Sequence, residues 1–209
     1  VLDATAPIHD LLALRPDARI EDIAVEDSKA TTAKRHMIHC AGIGRKRLES
    51  LSPERRTEFL LAITQSIETN LRDVKRVLGR APKVLVISYK VLIPELQLYL
   101  TLPGVEWVHY GNTRGYDGWF QRGFDAFVTI GDPYSNLGTE RAAWGLLKVS
   151  TVDVDAYCSY RAQAECAQAH GRARDPQAKK ADGIRYHAHY GRLPPLGWST
   201  DNTVVEVLT

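Results

Sequence analysis

Arg172 and Arg174 stand at the end of the run "AECAQAHGRARDPQAK" (Ala164 to Lys179). A guanidinium is a rigid, permanently charged fork that can take two phosphate oxygens at once. The Ala, Glu and Gln residues before Gly171 favour helix, and glycine is the usual residue just past a helix end. Gln168 lies four residues before Arg172, so on a continuing helix the two share a face. Two chemistries are open to such a terminus. The arginines reach a phosphate bound on another domain and stabilise the charge that grows during its hydrolysis. Or they only complement the helix dipole, an effect of about a few tenths of a kcal/mol.

A second constellation is the loop "YGNTRGYDGW" (Tyr110 to Trp119), which combines glycines with Asn112, Thr113, Arg114 and Asp117. Glycines let a backbone approach a ligand closely, and exposed amides there hold phosphate oxygens. Arg114 can fork onto a phosphate, and Asp117 can orient a water or pair with an arginine. The competing reading is a surface turn with a structural Arg–Asp pair.

Between Arg161 and Arg192 seven Lys or Arg face three acids, a local excess larger than the +2 of the whole chain. Tyr186, His187, His189, Tyr190 and Trp198 interleave with or follow these cations. Basic side chains with stacking rings suit a nucleic-acid strand, while a solvated charged face is the plainer alternative. His187 and His189, like His36 and His39, lack a third partner at metal-ligand spacing and read as structural histidines. The sequence holds no G-x-x-x-x-G-K-[ST] phosphate loop and no recognisable Ser-His-Asp or Cys-His set.

The elements that would position these residues are legible in part. Ser52 is a candidate N-cap with Pro53 at the first helical position and Glu54 at the positive helix end. Phe59, Leu60, Ile63, Ile67, Leu71, Val74 and Leu78 recur at helical spacing, so a helix is expected from Pro53 to Leu78. "PKVLVISYK" is the continuous apolar run of a strand buried on both faces. "IPELQLYLT" follows as a short helix, "GVEWVHY" as a strand and "FDAFVTIGDP" as another strand. A polar loop and a helix from Val154 to His170 come next. Upstream, "VLDATAP" reads as a strand end feeding a loop, "RIEDIAVED" (Arg19 to Asp27) as another strand, and "AKRHMIHCAGIG" (Ala33 to Gly44) as a strand followed by a glycine turn. Strands alternating with helices predict an α/β fold, a mostly parallel sheet with helices on both faces. In such sheets ligands sit where loops leave the carboxyl ends of strands. Those loops are "GNTRGYDGWFQRG", the Gly-Asp-Pro turn after "FVTI", and the opening of the Pro-rich tail.

The bulk numbers are those of an ordinary globular chain. It has 209 residues, 44% hydrophobic and 25% charged, which suggests one domain with at most a small annex. Cys40, Cys158 and Cys166 are odd in number and without metal-type spacing, so they read as reduced thiols of a cytoplasmic protein. No apolar run is long enough to span a bilayer, and no membrane partner is expected. The opening on Val1 rather than Met reads as a piece of something longer.

Taken in order, the pieces resemble the second RecA-like domain of a superfamily 2 helicase. "LDAT" (Leu2 to Thr5) is similar to the small motif III that closes the first motor domain. "KVLVISYK" (Lys83 to Lys90) resembles the opening strand of the second. "TRGYD" (Thr113 to Asp117) resembles the Arg-Gly-x-Asp of motif V, followed by a strand and an Asp-x-Pro-like turn. "QAHGRARD" resembles motif VI, Gln-x-x-Gly-Arg-x-x-Arg, with Arg174 one residue early, so either arginine is open as the finger. The tail "YHAHYGRLPPLGW" is similar to that of helicase or primase-helicase proteins of plasmids, phages and integrated elements. The likeness runs from Lys83 onward plus the first residues; Arg19 to Leu78 matches no motif.

The resemblance implies a division into residues 1–18, the end of a first motor domain or a connecting segment, and 19–209, the second RecA-like domain. Residues 45–80 would be a long helix or a helical insertion. It implies that ATP and Mg2+ are held by an N-terminal motor domain of the same protein and that this chain alone holds neither. Arg172, Arg174 and Gln168 would be catalytic, with Gly115, Asp117 and Gly171 near the nucleotide. Asn112, Thr113, Arg114 and Lys90 would contact DNA, or RNA, through its backbone. The basic run supplies a rival from another class, a non-enzymatic α/β nucleic-acid-binding module.

Overall fold

The computed structural model describes residues 34–40, 43–112, 122–146, 153–171, 186–198 and 203–208. Thr113, Arg114, Gly115, Asp117, Arg172 and Arg174 lie outside them, as do the two segments read upstream as "VLDATAP" and "RIEDIAVED". The elements in chain order are β1 (Lys34–His39), α1 (Arg45–Glu49), α2 (Pro53–Leu78), β2 (Val84–Ser88), α3 (Ile93–Tyr99) and β3 (Val105–His109). They continue with β4 (Ala126–Ile130), α4 (Leu137–Leu146), α5 (Val154–Gly171), β5 (Tyr186–Gly191) and β6 (Thr203–Val207).

The six described strands form one parallel sheet in the order β3-β2-β4-β5-β1-β6. Successive side chains of a strand point to opposite faces, and both faces here are covered. On one face Val84, Val86, Ala126, Val128, Ala188 and Tyr190 pack against Leu60, Ile63, Ile67 and Leu71 of α2 and Leu96 of α3. On the other, Leu85, Ile87 and Phe127 meet Ala169 of α5. A strand such as VLVIS, buried at every position, is apolar throughout for this reason.

The long helix α2 spans the range its sequence signals predict. Ser52 Oγ accepts from the Arg55 N–H at 3.4 Å, Pro53 opens the helix, and Gly79, at φ 66°, stops it in the left-handed region. It is the crossover from β1 to β2 and supplies a large share of the core. Residues 45–80 are therefore integral to the sheet's packing, not an appendage. Its buried Thr64 is satisfied by the Leu60 carbonyl at 3.0 Å.

The structure differs from the sequence reading at two places. The stretch read as a polar loop contains α4, started by Asn136, whose side-chain oxygen accepts from the N–H groups of Gly138 and Thr139 at 3.0 and 3.3 Å. Trp144 of α4 packs edge-on against Tyr157 of α5, with ring centroids 5.3 Å apart. The tail "YHAHYG" is β5, paired between β4 and β1. Tyr186, His187, His189 and Tyr190 are all core residues, 0–4% exposed, so those four rings are not stacking platforms for a nucleic-acid strand. Among the described residues no helix is long and apolar enough to cross a membrane.

Candidate functional site at the carboxyl edge of the sheet

β2 and β4 are neighbours whose outgoing connections part company. From β2 the chain passes through α3 on one face to β3; from β4 it passes through α4 and α5, the latter on the other face, to β5. Right-handed crossovers running toward opposite margins of a sheet lie on opposite faces. The carboxyl ends of β2 and β4 thus form the topological switch point, where open α/β sheets bind their ligands.

Two tyrosines cap this point. The Tyr110 hydroxyl, just past β3, donates to the Gly131 carbonyl at 2.7 Å, and the Tyr89 hydroxyl, just past β2, donates to the Asp132 carbonyl. Burial raises the pKa of both phenols, so they stay protonated donors. Gly131 sits at φ 90°, and a side chain there would run into the Tyr89 ring. Only glycine meets both conditions.

Asp132 anchors the next loop. Its carboxylate accepts from the N–H of Arg192 at 2.8 Å, the N–H of Leu193 at 3.3 Å and His189 Nε2 at 3.2 Å. Gly191 makes room for this, since a side chain there would strike the His189 ring and Asp132 Oδ1. From His189 a polar chain continues along the buried face. His189 Nδ1 lies 2.8 Å from Thr129 Oγ1, which lies 2.9 Å from His170 Nε2; His170 Nδ1 lies 3.0 Å from His187 Nδ1. A carboxylate only accepts, so His189 Nε2 carries a proton. With one proton on each imidazole, every position then follows. Thr129 donates to His189 Nδ1, His170 Nε2–H donates to Thr129, and His187 Nδ1–H donates to His170. Burial, reinforced by the flanking His187 and His189, holds the His170 pKa well below 6.5, which keeps that ring neutral.

This chain fixes α5 to the switch strands. In the second half of α5, Gln163 donates to the Pro194 carbonyl at 2.9 Å, and Cys166 Sγ lies 3.9 Å from the Tyr110 hydroxyl, both at the carboxyl edge. One turn on, His170 meets Thr129 and His187 in the interior of the sheet. The helix therefore descends from the edge across the middle strands and ends at an exposed Gly171, with half-buried Gln168 in its last turn.

Of the residues singled out from sequence, the structure places Lys90 and Asn112 just past the carboxyl ends of adjacent strands, both exposed. Gln168 and Gly171 lie apart from them on the last turn of α5. Sequence reasoning missed Tyr89, Tyr110, Thr129 and His170, and left Asp132 as part of a turn. One signal was present: His187 and His189 are two apart, and in a strand that spacing puts both on one face. Burial raises the pKa of the Cys166 thiol, and that of Cys40 to about 12, so neither is a thiolate nucleophile. Among the described residues no group of His, Cys, Asp and Glu is placed to hold a metal ion. What this edge offers, among the described residues, is positioning and backbone contact.

Comparison with protein-family models, with curated proteins and with solved structures finds no match for this chain.

Proposed function

We propose that this chain is the C-terminal motor domain of an ATP-dependent helicase or translocase of the cytoplasm, acting on DNA. It completes a nucleotide site whose phosphate loop and Mg2+ ligands belong to an N-terminal motor domain. The order of motif-like segments supports this reading, together with a parallel sheet covered on both faces and a switch point flanked by Asn112, the residue before Thr113 in the sequence. The observation that carries it is the switch point at the carboxyl ends of β2 and β4, where an open parallel sheet takes its ligand. α5, locked to β4 by Thr129 and His170, leads away from that edge to Gly171, and Arg172 and Arg174 follow within three residues in the sequence. A finger must be held rigidly to stabilise charge on a phosphate supplied by another domain. Gln168 helps position the two guanidinium groups. Lys90, Asn112, Thr113 and Arg114 contact the strand's phosphates, giving affinity without sequence readout.

The test is nucleic-acid-stimulated ATP turnover by the full-length protein. Arg172→Ala or Arg174→Ala should lower it by on the order of 10³-fold while strand binding persists. Both single variants turning over at the parental rate would refute the proposal. The rival reading, a non-enzymatic binding module, loses four of its five stacking rings to the burial of Tyr186, His187, His189 and Tyr190, with half-buried Trp198 left beside the charge.

A further inference from the structure

Asp132, buried two residues past β4, gathers the backbone at three exposed side chains from neighbouring strands. Its carbonyl accepts from the Tyr134 N–H at 2.8 Å and from the Tyr89 hydroxyl, and Lys90 follows Tyr89 directly. Its carboxylate accepts from the Arg192 N–H at 2.8 Å. Lys90, Tyr134 and Arg192 thus depend on one anchor, just past the carboxyl ends of β2, β4 and β5. β4 lies between the other two strands, and paired strands are about 4.8 Å apart. The two cations therefore leave strands about 10 Å apart, with the strand that carries the tyrosine between them.

The ring is held as well as exposed. Tyr134 is 44% exposed, and its hydroxyl shares a hydrogen bond with Ser159 of α5. Partial burial and the Asp132 charge raise its pKa, so the phenol stays neutral, and Arg192 is near enough to pull against them. A neutral ring flanked by two cations matches one repeat of an unpaired strand, a flat base carried between two phosphates. Every base has a π-face, so stacking on a tyrosine tolerates any sequence, while the phosphates supply the salt-dependent part of the affinity. A base inside a duplex is stacked on both faces and has none left for Tyr134.

We propose that Lys90, Tyr134 and Arg192 grip one unpaired nucleotide of a strand, the base stacked on Tyr134 and its two phosphates held by Lys90 and Arg192. The grip rests on the reading of the carboxyl edge as a strand-binding surface, and it adds a base contact to the phosphate contacts given there. Because Asp132 fixes all three segments of backbone, the grip is formed before the strand arrives.

Binding of a fluorescein-labelled oligothymidylate to the chain, followed by anisotropy, tests the proposal. Tyr134→Ala should weaken binding about tenfold, and Tyr134→Trp, which keeps a stacking face, should retain parental affinity. Arg192→Gln and Lys90→Gln should each lower the slope of log affinity against log salt by about 0.7. Replacing the bases by abasic sites should weaken binding to the parent about tenfold and to Tyr134→Ala far less. No binding by the parent, parental affinity in Tyr134→Ala, or an equal abasic loss in the two chains would each overturn the proposal. The motor reading fails separately. Parental ATP turnover in both Arg172→Ala and Arg174→Ala would remove the motor and leave the stacking contact, whereas parental strand affinity in Tyr134→Ala would remove the contact and leave the fingers.

Discussion

Tyr110 and Gly131 are joined across the end of β2, the phenol hydroxyl of one donating to the carbonyl of the other at 2.7 Å. The bond closes the switch point from the β3 side while Tyr89 closes it from above Gly131. Tyr110→Phe should therefore destabilise the chain by about 1–2 kcal/mol, the loss of one buried hydrogen bond. Gly131→Ala should cost more, about 2–4 kcal/mol, because it adds left-handed strain to a collision with the Tyr89 ring. Urea unfolding of the two variants checks the ranking; a neutral Gly131→Ala would dismiss the clamp.

Thr129 is the single hydroxyl through which His170 and His189 communicate. Thr129→Val keeps the shape and leaves both imidazole nitrogens without their partner, at a cost of about 2–3 kcal/mol. In the parent chain, ¹⁵N spectra of the imidazoles should show protons on Nε2 of His189, Nε2 of His170 and Nδ1 of His187. Nδ1–H on His170 would mean that the chain of donors runs the other way.

Stability should fall with acid. The folded pKa of His170 is well below the ordinary 6.5, chiefly through burial, and that of His36 is lowered too, again chiefly by burial. Below about pH 6.5 the unfolded chain takes up a proton that the folded chain refuses, so the contribution is intact above that pH and declines below it. The slope approaches about 1.4 kcal/mol per pH unit for each such group. Thermal unfolding between about pH 7.5 and pH 5 should show the decline, and His170→Gln should flatten it without removing the part due to His36. An equal slope in His170→Gln and the parent would dismiss His170 as the cause.

Ile67 of α2 is 1% exposed within the main core. Ile67→Ala should cost about 2–4 kcal/mol, whereas exposed Gln65→Ala on the same helix should stay within about 0.5 kcal/mol. Near-neutral behaviour of Ile67→Ala in chemical denaturation would mean that α2 is an attachment after all.

The legible parts of the fold were those whose local signals agree with their burial. Ser52, Pro53 and a helical apolar repeat announce α2, and VLVIS announces a strand buried on both faces. α4 was unreadable because its glycines and Thr139 weaken helix propensity, and what starts it is one Asn136 side chain. β5 was not read as a strand: its histidines read as structural, but the carboxylate and the threonine that satisfy His189 come from β4 and its outgoing loop, far off in the sequence. Tyr110, Cys166, Thr129 and His170 meet only in the tertiary structure, so no spacing along the chain could have joined them. The sequence did show which loops leave the carboxyl ends of β3, β4 and β5.

The strand order has a consequence for how the chain comes together. β1, the earliest described strand, lies between β5 and β6, the last two. During synthesis β1 must wait unmated until β5 has emerged, while β2, β3 and β4 can already assemble. Such distant pairing makes folding slow. Removing residues 186–208 would strip β1 of both its neighbours.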